Sequence, residues 1–376
     1  MEKRYEATMI MSAVGDAMGY KNGSWEFQMS QNTITKEYER FNGLENIVID
    51  KKNWRLSDDT IMHMATAIAI TRPENTDFNS ICEQIALAYI RCMEDMGGRA
   101  PGRQTMNSVG LMTKGFSSKE PLKWNEIPYA NGGGGCGGAM RSMCIGLKYW
   151  NESQIDDLIA LSIESGRITH NHPVGFLGAM VSALFTSFAI QNVDPKLWGT
   201  KLMCEGLPKA KEYLKKTEND TNRKWENYVR GWNYFEDAWK AYLKLRKIPL
   251  SLDDALSAEQ PTYPEFPETY GYMERMAFYQ SVSFDGWGGS SGHDSVIISY
   301  DALLGAGSDW KEMVERAIIH AGDNDSTGAI GCAWWGALYG MESVPLNNYD
   351  KIEYKPIIVG LSKAIFKSLE IPHDQK

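Results

Sequence analysis

Along most of the chain apolar residues return every three or four positions, the spacing that lines one face of an α-helix. Segments 5–19, 60–72, 78–96, 138–149, 154–166, 175–191, 225–246, 309–320 and 327–340 all carry it. Within 225–246, Trp225, Tyr228, Trp232, Phe235, Trp239 and Tyr242 make one aromatic stripe. Such a stripe reads as a helix face turned to the core or to a subdomain, not as a ligand platform. The alternation of a half-buried strand is scarce. Residues 295–300 could pass as one, but Asp301-Ala-Leu-Leu continues the run without a break. The pattern predicts an all-α fold, a compact multi-helix domain.

Glycine collects between the predicted helices. Residues 131–138 hold six glycines in eight positions, and Gly286-Trp287-Gly288-Gly289-Ser290-Ser291-Gly292-His293 is a second glycine-rich run. Each is embedded between helical segments, so neither reads as a linker. Residues 195–265 are richer in Lys, Glu and Pro, and there is no internal repeat. The expected organisation is a single domain, 1–376, with a peripheral variable insertion at about 195–265.

Composition narrows the function classes. A chain of 376 residues with 43% hydrophobic and 23% charged residues is globular rather than disordered. Its net charge of −9 opposes general binding to nucleic acid or anionic membrane, which needs a basic face. The six cysteines are scattered without a CxxC pair, the usage of a reduced compartment. The N-terminal apolar run Ala7–Val14 is soon cut by Asp16, so it reads as a helix and not a signal peptide, and no stretch is expected to span a bilayer. A cytoplasmic, monomeric protein is the expectation.

Chemistry concentrates at two predicted helix starts. Ser57-Asp58-Asp59-Thr60 stands directly before Ile61-Met62-His63, and Asp323-Asn324-Asp325-Ser326-Thr327 before a run of small residues that includes Gly328 and Gly331. Ser, Thr and Asp are ordinary N-caps, and carboxylates suit a first turn. A cap needs one side chain, however, and each cluster offers two carboxylates beside a hydroxyl. Brought together, four carboxylates repel one another unless cations intervene. An all-oxygen donor set of this kind suits Mg²⁺ better than Zn²⁺. The small residues after Thr327 let another element approach that helix start closely.

With these clusters the chain resembles the ADP-ribosylarginine hydrolases, relatives of the bacterial dinitrogenase-reductase-activating glycohydrolase. The resemblance runs nearly end to end. It is carried by Ser12-Ala-Val-Gly-Asp16, Trp25-Glu26-Phe27, Trp54-Arg-Leu-Ser57-Asp58-Asp59-Thr60, Met93-Glu94-Asp95-Met96 and Gly98-Arg99-Ala100-Pro101-Gly102. Further on it includes Gly134-Gly135-Cys136-Gly137 with Ala139-Met140-Arg141, Ile163-Glu164-Ser165-Gly166-Arg167, Thr169-His170-Asn171-His172-Pro173, the Gly286–His293 run and Gly322-Asp323-Asn324-Asp325-Ser326-Thr327.

The resemblance implies an all-α domain with two Mg²⁺ ions in a central cleft. Ser57, Asp58 and Asp59 would ligate one ion, and Asp323, Asp325 and Ser326 the other, with Asp325 bridging. The implied reaction is hydrolysis of the N-glycosidic bond of ADP-ribosyl-arginine on proteins, giving ADP-ribose and free arginine. Ribosyl transfer of this kind passes through an oxocarbenium-like centre. Asp58 or Asp59 is the candidate for orienting or deprotonating the attacking water, and Glu26 for a mobile acid or lid residue. The run Gly134, Gly135, Cys136, Gly137, Gly138 could offer backbone amides to the diphosphate, with Ala139, Met140 and Arg141 following. Gly288, Ser290, Ser291 and Gly292 carry the same expectation, and Trp287 stacks on adenine or simply packs. His170 is expected at the substrate cleft; Glu94 and Asp95 face the substrate arginine or are helix-surface charge. Three alternatives stay open: a hydrolase of serine-linked or other O-linked ADP-ribose, a two-metal phosphohydrolase of the pyrophosphate, and a non-catalytic ADP-ribose-binding module.

Overall fold

The computed structural model describes residues 1–114, 120–257 and 263–369. Among them every regular element is a helix, and the only strand-like contact is an isolated bridge between Gly135 and Ser291. The helices that carry and surround the acidic clusters are α1 (Glu2–Tyr20), α2 (Asp58–Ile70), α3 (Phe78–Cys92), α4 (Ile155–Arg167), α5 (Pro173–Ile190), α6 (Trp225–Leu245), α7 (Asp294–Ala306), α8 (Asn324–Tyr339) and α9 (Lys355–Ser368). All nine periodic segments are helical, with 138–149 divided into a 3₁₀ turn, Cys136–Arg141, and a short helix, Met143–Lys148. The strand-like stretch 295–300 lies inside α7, where every residue from Asp294 to Leu303 is buried. A helix enclosed on all sides has no polar face, so its 3.6-residue period disappears from the sequence.

α5 is the extreme case, with all 18 residues buried. By length and hydropathy this helix could cross a membrane, contrary to the expectation that no stretch is long enough, yet here it is enclosed by the rest of the fold. α1 and α8 pack in near-contact of their backbones. A Cβ on Gly15 would stand 2.1 Å from the Gly328 carbonyl oxygen, and one on Gly328 would stand 2.6 Å from the Gly15 oxygen. Only glycine permits that approach, and it brings the start of α8 against α1. The aromatic stripe of α6 turns inward: Tyr228, Trp232, Phe235, Trp239 and Tyr242 are buried, and Trp239 meets Phe185 of α5 edge-on with centroids 5.7 Å apart. Trp198, also from the 195–265 region, packs on the same phenylalanine at 5.2 Å.

Candidate active site

The starts of α2 and α8 face each other. Ser57 is the N-cap of α2, its Oγ accepting from the Asp59 N–H at 3.1 Å. Asp323 is the N-cap of α8. The Ser326 hydroxyl crosses from α8 to donate to Asp59 Oδ2 at 2.9 Å, and the Cys136 thiol donates to Asp323 Oδ2 at 3.2 Å. Asp16 on α1 holds the first cluster in place. Its carboxylate accepts from the backbone N–H groups of Ser57 at 3.1 Å and Thr60 at 3.1 Å, and from the Thr60 hydroxyl. The peptide segment before α2 is fixed from its other side, where the Asp58 N–H donates to the Arg99 carbonyl at 2.9 Å. Arg99 in turn makes a buried ion pair with Glu353 at 2.9 Å.

A cavity of about 200 Å³ opens over this junction, lined by Glu26, Asp58, Asp59, Cys136, His170, Asp323 and Ser326 among others. Asp325 and Ser57 sit behind its wall, both buried. Burial raises the carboxyls of Asp58, Asp59 and Asp325 well above the usual range, and their neighbours' charges add to it. Asp323 is raised by burial as well, against the hydrogen bonds it receives. Asp16 is pushed up to about 6 by burial, despite its bonds from Thr60 and Ser57. Glu26 is pushed up to about 9 by burial, then by Asp323, Asp58 and Asp16. None of the ion pairs among the described residues involves these six carboxylates.

That donor set fits a hard divalent cation: carboxylate and hydroxyl oxygens, buried, mutually repelling and in no ion pair with arginine or lysine among the described residues. Among the described residues no group of three or more His, Cys, Asp or Glu is already closed around one point as an ion's ligands. The fit is therefore one of chemistry and placement.

The two glycine-rich runs meet beside the carboxylates. The Cys136 N–H donates to the Ser290 carbonyl at 3.0 Å, and the Gly292 N–H to the Gly134 carbonyl at 2.9 Å. Gly135, Cys136, Gly137, Met140 and Ser290 reach the cavity lining; Gly134, Gly138, Ala139, Gly288, Ser291 and Gly292 do not. Trp287 is not in the lining, but it meets Phe27, which is, edge-on with centroids 5.5 Å apart. Arg141 turns away from the cavity. It is fully buried, stacks over the Tyr89 ring at 4.2 Å and donates to the Ser165 carbonyl at 2.8 Å. Glu94 is exposed, and Asp95 is engaged by Arg99 at 3.2 Å and Tyr354 at 2.9 Å, both away from the lining. None of these three residues reaches the cavity lining.

The cavity also contains residues to which motif reading gave no role: Phe27, Ala100, Gly102, Arg103, Gln104 and Thr105. The Gly98–Gly102 motif pointed at this stretch without saying which side chains face inward.

Fold and acidic cleft together define a class, and the sequence comparisons agree with it. Residues 1–374 match the ADP-ribosylglycohydrolase family, to which the chain belongs. It is 61% identical over 367 residues to the ADP-ribosylhydrolase ARH1 of Dictyostelium discoideum, covering 97% of this chain and 94% of that one. It is also 23% identical to the ADP-ribosylhydrolase ARH3 of Xenopus tropicalis, covering 92% and 89%. A solved structure described as an ADP-ribosylglycohydrolase-related protein complex shares the fold, with a TM-score of 0.60 at 15% identity over 97% of this chain and 98% of that one. Family membership and the first of these relatives support hydrolysis of ADP-ribose conjugates.

Proposed function

We propose that the protein hydrolyses the N-glycosidic bond of ADP-ribosyl-arginine on proteins, with two Mg²⁺ ions in the acidic cleft. The observation that carries this reading is the pair of facing helix starts, whose buried carboxylates form no ion pair among the described residues. Similarity over nearly the whole chain to a relative named ADP-ribosylhydrolase ARH1 supports the arginine linkage by way of the wider resemblance to the ADP-ribosylarginine hydrolases.

Ser57, Asp58 and Asp59 would hold one ion and Asp323, Asp325 and Ser326 the other. When bound, Mg²⁺ lowers the pKa of a coordinated water and orients ribose hydroxyls. The chain's own side chains perform the remaining tasks. Asp58 and Asp59 orient the water against the anomeric carbon. The acidic wall accepts the cationic guanidinium of the substrate. As the C–N bond breaks, the electron pair goes to nitrogen and leaves a neutral guanidine, which then takes up a proton. Water supplies the new C–O bond and gives up a proton. Glu26, which burial and the neighbouring carboxylates push up to about 9 in the metal-free cleft, lines the same cavity and would carry a proton in that exchange. Gly135, Cys136 and Gly137 line the cavity where the diphosphate needs close backbone approach.

The test is a parallel assay on arginine-linked and serine-linked ADP-ribosylated proteins with product analysis. The reading expects intact ADP-ribose from the arginine-linked substrate at the higher rate. Preference for the serine linkage would overturn the substrate assignment. AMP as product would mean phosphodiester cleavage, and binding without turnover would mean a recognition module.

A further inference from the structure

Arg141 carries a conspicuous place in the glycine-run motif, yet its guanidinium never reaches the cavity. What it reaches is the Thr169 hydroxyl, donating to Oγ1 at 2.6 Å. The same Oγ1 lies 2.8 Å from Nδ1 of His170, whose ring lines the cavity. Both Arg141 and Thr169 are fully buried, and His170 is 4% exposed.

The direction of these hydrogen bonds follows from chemistry. A guanidinium has donors only, so Thr169 Oγ1 must accept from Arg141. The hydroxyl has one proton left to place, and His170 Nδ1 is the acceptor it faces among the described residues. The opposite tautomer would put two donors against Oγ1 and leave its own proton without an acceptor in a buried site, a loss of the kind folded proteins avoid. With Nδ1 accepting, the ring's proton sits on Nε2. That atom has no protein partner among the described residues, and it borders the backbone of the glycine run: a Cβ on Gly137 would stand 2.5 Å from His170 Cε1 and 3.0 Å from Nε2.

We infer that Arg141 and Thr169 are positioning residues that lock His170 as the Nε2–H tautomer, so the cleft presents a fixed hydrogen-bond donor to an oxygen of the bound ADP-ribose. This rests on the proposed function for the identity of the ligand, but not for the tautomer. The ring stays neutral through the physiological range, because burial, Arg141 and His172 push its pKa down to about 3. With Nδ1 taken by the Thr169 hydroxyl and the proton on Nε2, His170 serves the cleft as a donor rather than as a general base, and the buried arginine acts through Thr169.

The tautomer is read by long-range proton–nitrogen correlation spectra of protein labelled with ¹⁵N-histidine, the His170 signals being assigned by their loss in His170→Gln. The expected pattern in the wild-type protein is Nε2–H with an unprotonated Nδ1 between pH 6 and 8. An Nδ1–H ring, or a ring that becomes charged in that range, overturns the inference whatever the Thr169 variants do. In Thr169→Val the ring should lose its single tautomer, and the Kd for ADP-ribose should rise about tenfold, the scale of one neutral hydrogen bond. Thr169→Ser should restore both. A folded Thr169→Val with wild-type tautomer and Kd also overturns it. Failure of the wild-type protein to bind ADP-ribose at all would defeat the proposed function instead, leaving the tautomer measurement to stand separately.

Discussion

Two groups of buried carboxylates occupy this molecule, and they are treated in opposite ways. Glu164 on α4 accepts both guanidinium nitrogens of Arg223, at 2.9 and 2.8 Å, with Arg167 at 2.9 Å and the Tyr213 hydroxyl at 2.8 Å. Asp301 on α7 accepts from Arg246 Nε at 2.6 Å and from the hydroxyls of Tyr242 at 3.1 Å and Tyr270 at 2.8 Å. Among the described residues, the carboxylates at the starts of α2 and α8 have only hydroxyls, backbone N–H groups, a thiol and one another. Burying a charge is costly unless it is paired. In the first group the protein supplies the partner, and the result is cross-linking of helices. In the second the partner is withheld, and the result is a cleft that a cation from solution can complete. Residue type and burial alone do not separate the two groups; the presence of an arginine does.

The contrast can be broken most severely by removing a cleft carboxylate. Asp58→Ala or Asp325→Ala should lower release of ADP-ribose from an arginine-modified protein by about 10²–10³-fold or more. Turnover like the wild type with Mg²⁺ present would remove these residues from the site. At the paired group the loss should be in stability. Arg246→Ala strands Asp301 in the core and should destabilise the protein by about 3–5 kcal/mol in urea unfolding, with the Mg²⁺ dependence of whatever remains folded unaltered.

A gentler change should sharpen the comparison by reversing sign. Asp59→Asn removes one of several repelling charges, so in the metal-free protein it should raise stability by on the order of 1 kcal/mol. Added Mg²⁺ should cancel or invert that advantage, because the wild-type protein then gains the ion. A metal-free Asp59→Asn less stable than the wild type would show that the cleft carboxylates are already compensated.

The remaining effect is on pH dependence. Asp16, pushed up to about 6, and Glu26, pushed up to about 9, bind protons in the folded state at pH values where the unfolded chain has released them. Stability then falls as pH rises between the unfolded carboxyl value of about 4 and the folded values. The metal-free protein should melt at progressively lower temperature from pH 5 to pH 9 under chelation, and Mg²⁺ should flatten that slope. A melting temperature that rises over this range without the ion contradicts the electrostatic account.

Much of this arrangement was legible in the order of residues, and the omissions have physical causes. Amphipathic helices announced themselves by period, and the excess carboxylates at Asp58–Asp59 and Asp323–Asp325 stood out because capping needs fewer. Helices with little apolar surface did not: Gln31–Glu39 buries only Gln31, Ile34 and Tyr38, and Arg103–Leu111 buries Thr105, Ser108, Val109 and Gly110. Asp16 belonged to a recognised motif, but its grip on Ser57 and Thr60 spans 41 and 44 residues and depends on how α1 lies against α2. Arg141 follows the glycine run in the motif, but a motif does not specify which side of a 3₁₀ turn faces the cavity, and the guanidinium lies on the other side. Likewise Asp95 could not be separated from the substrate until Arg99 and Tyr354 were seen to engage it.

The central claim is that the unpaired carboxylates serve hydrolysis by holding a divalent cation. Its most direct test is to strip the full-length protein with chelator, present it with arginine-ADP-ribosylated protein, and then restore Mg²⁺ while following free ADP-ribose. The account predicts no release until the ion returns, then intact ADP-ribose from the wild type and none above background from Asp325→Ala. Equal release from the stripped protein, or release as AMP, would contradict it.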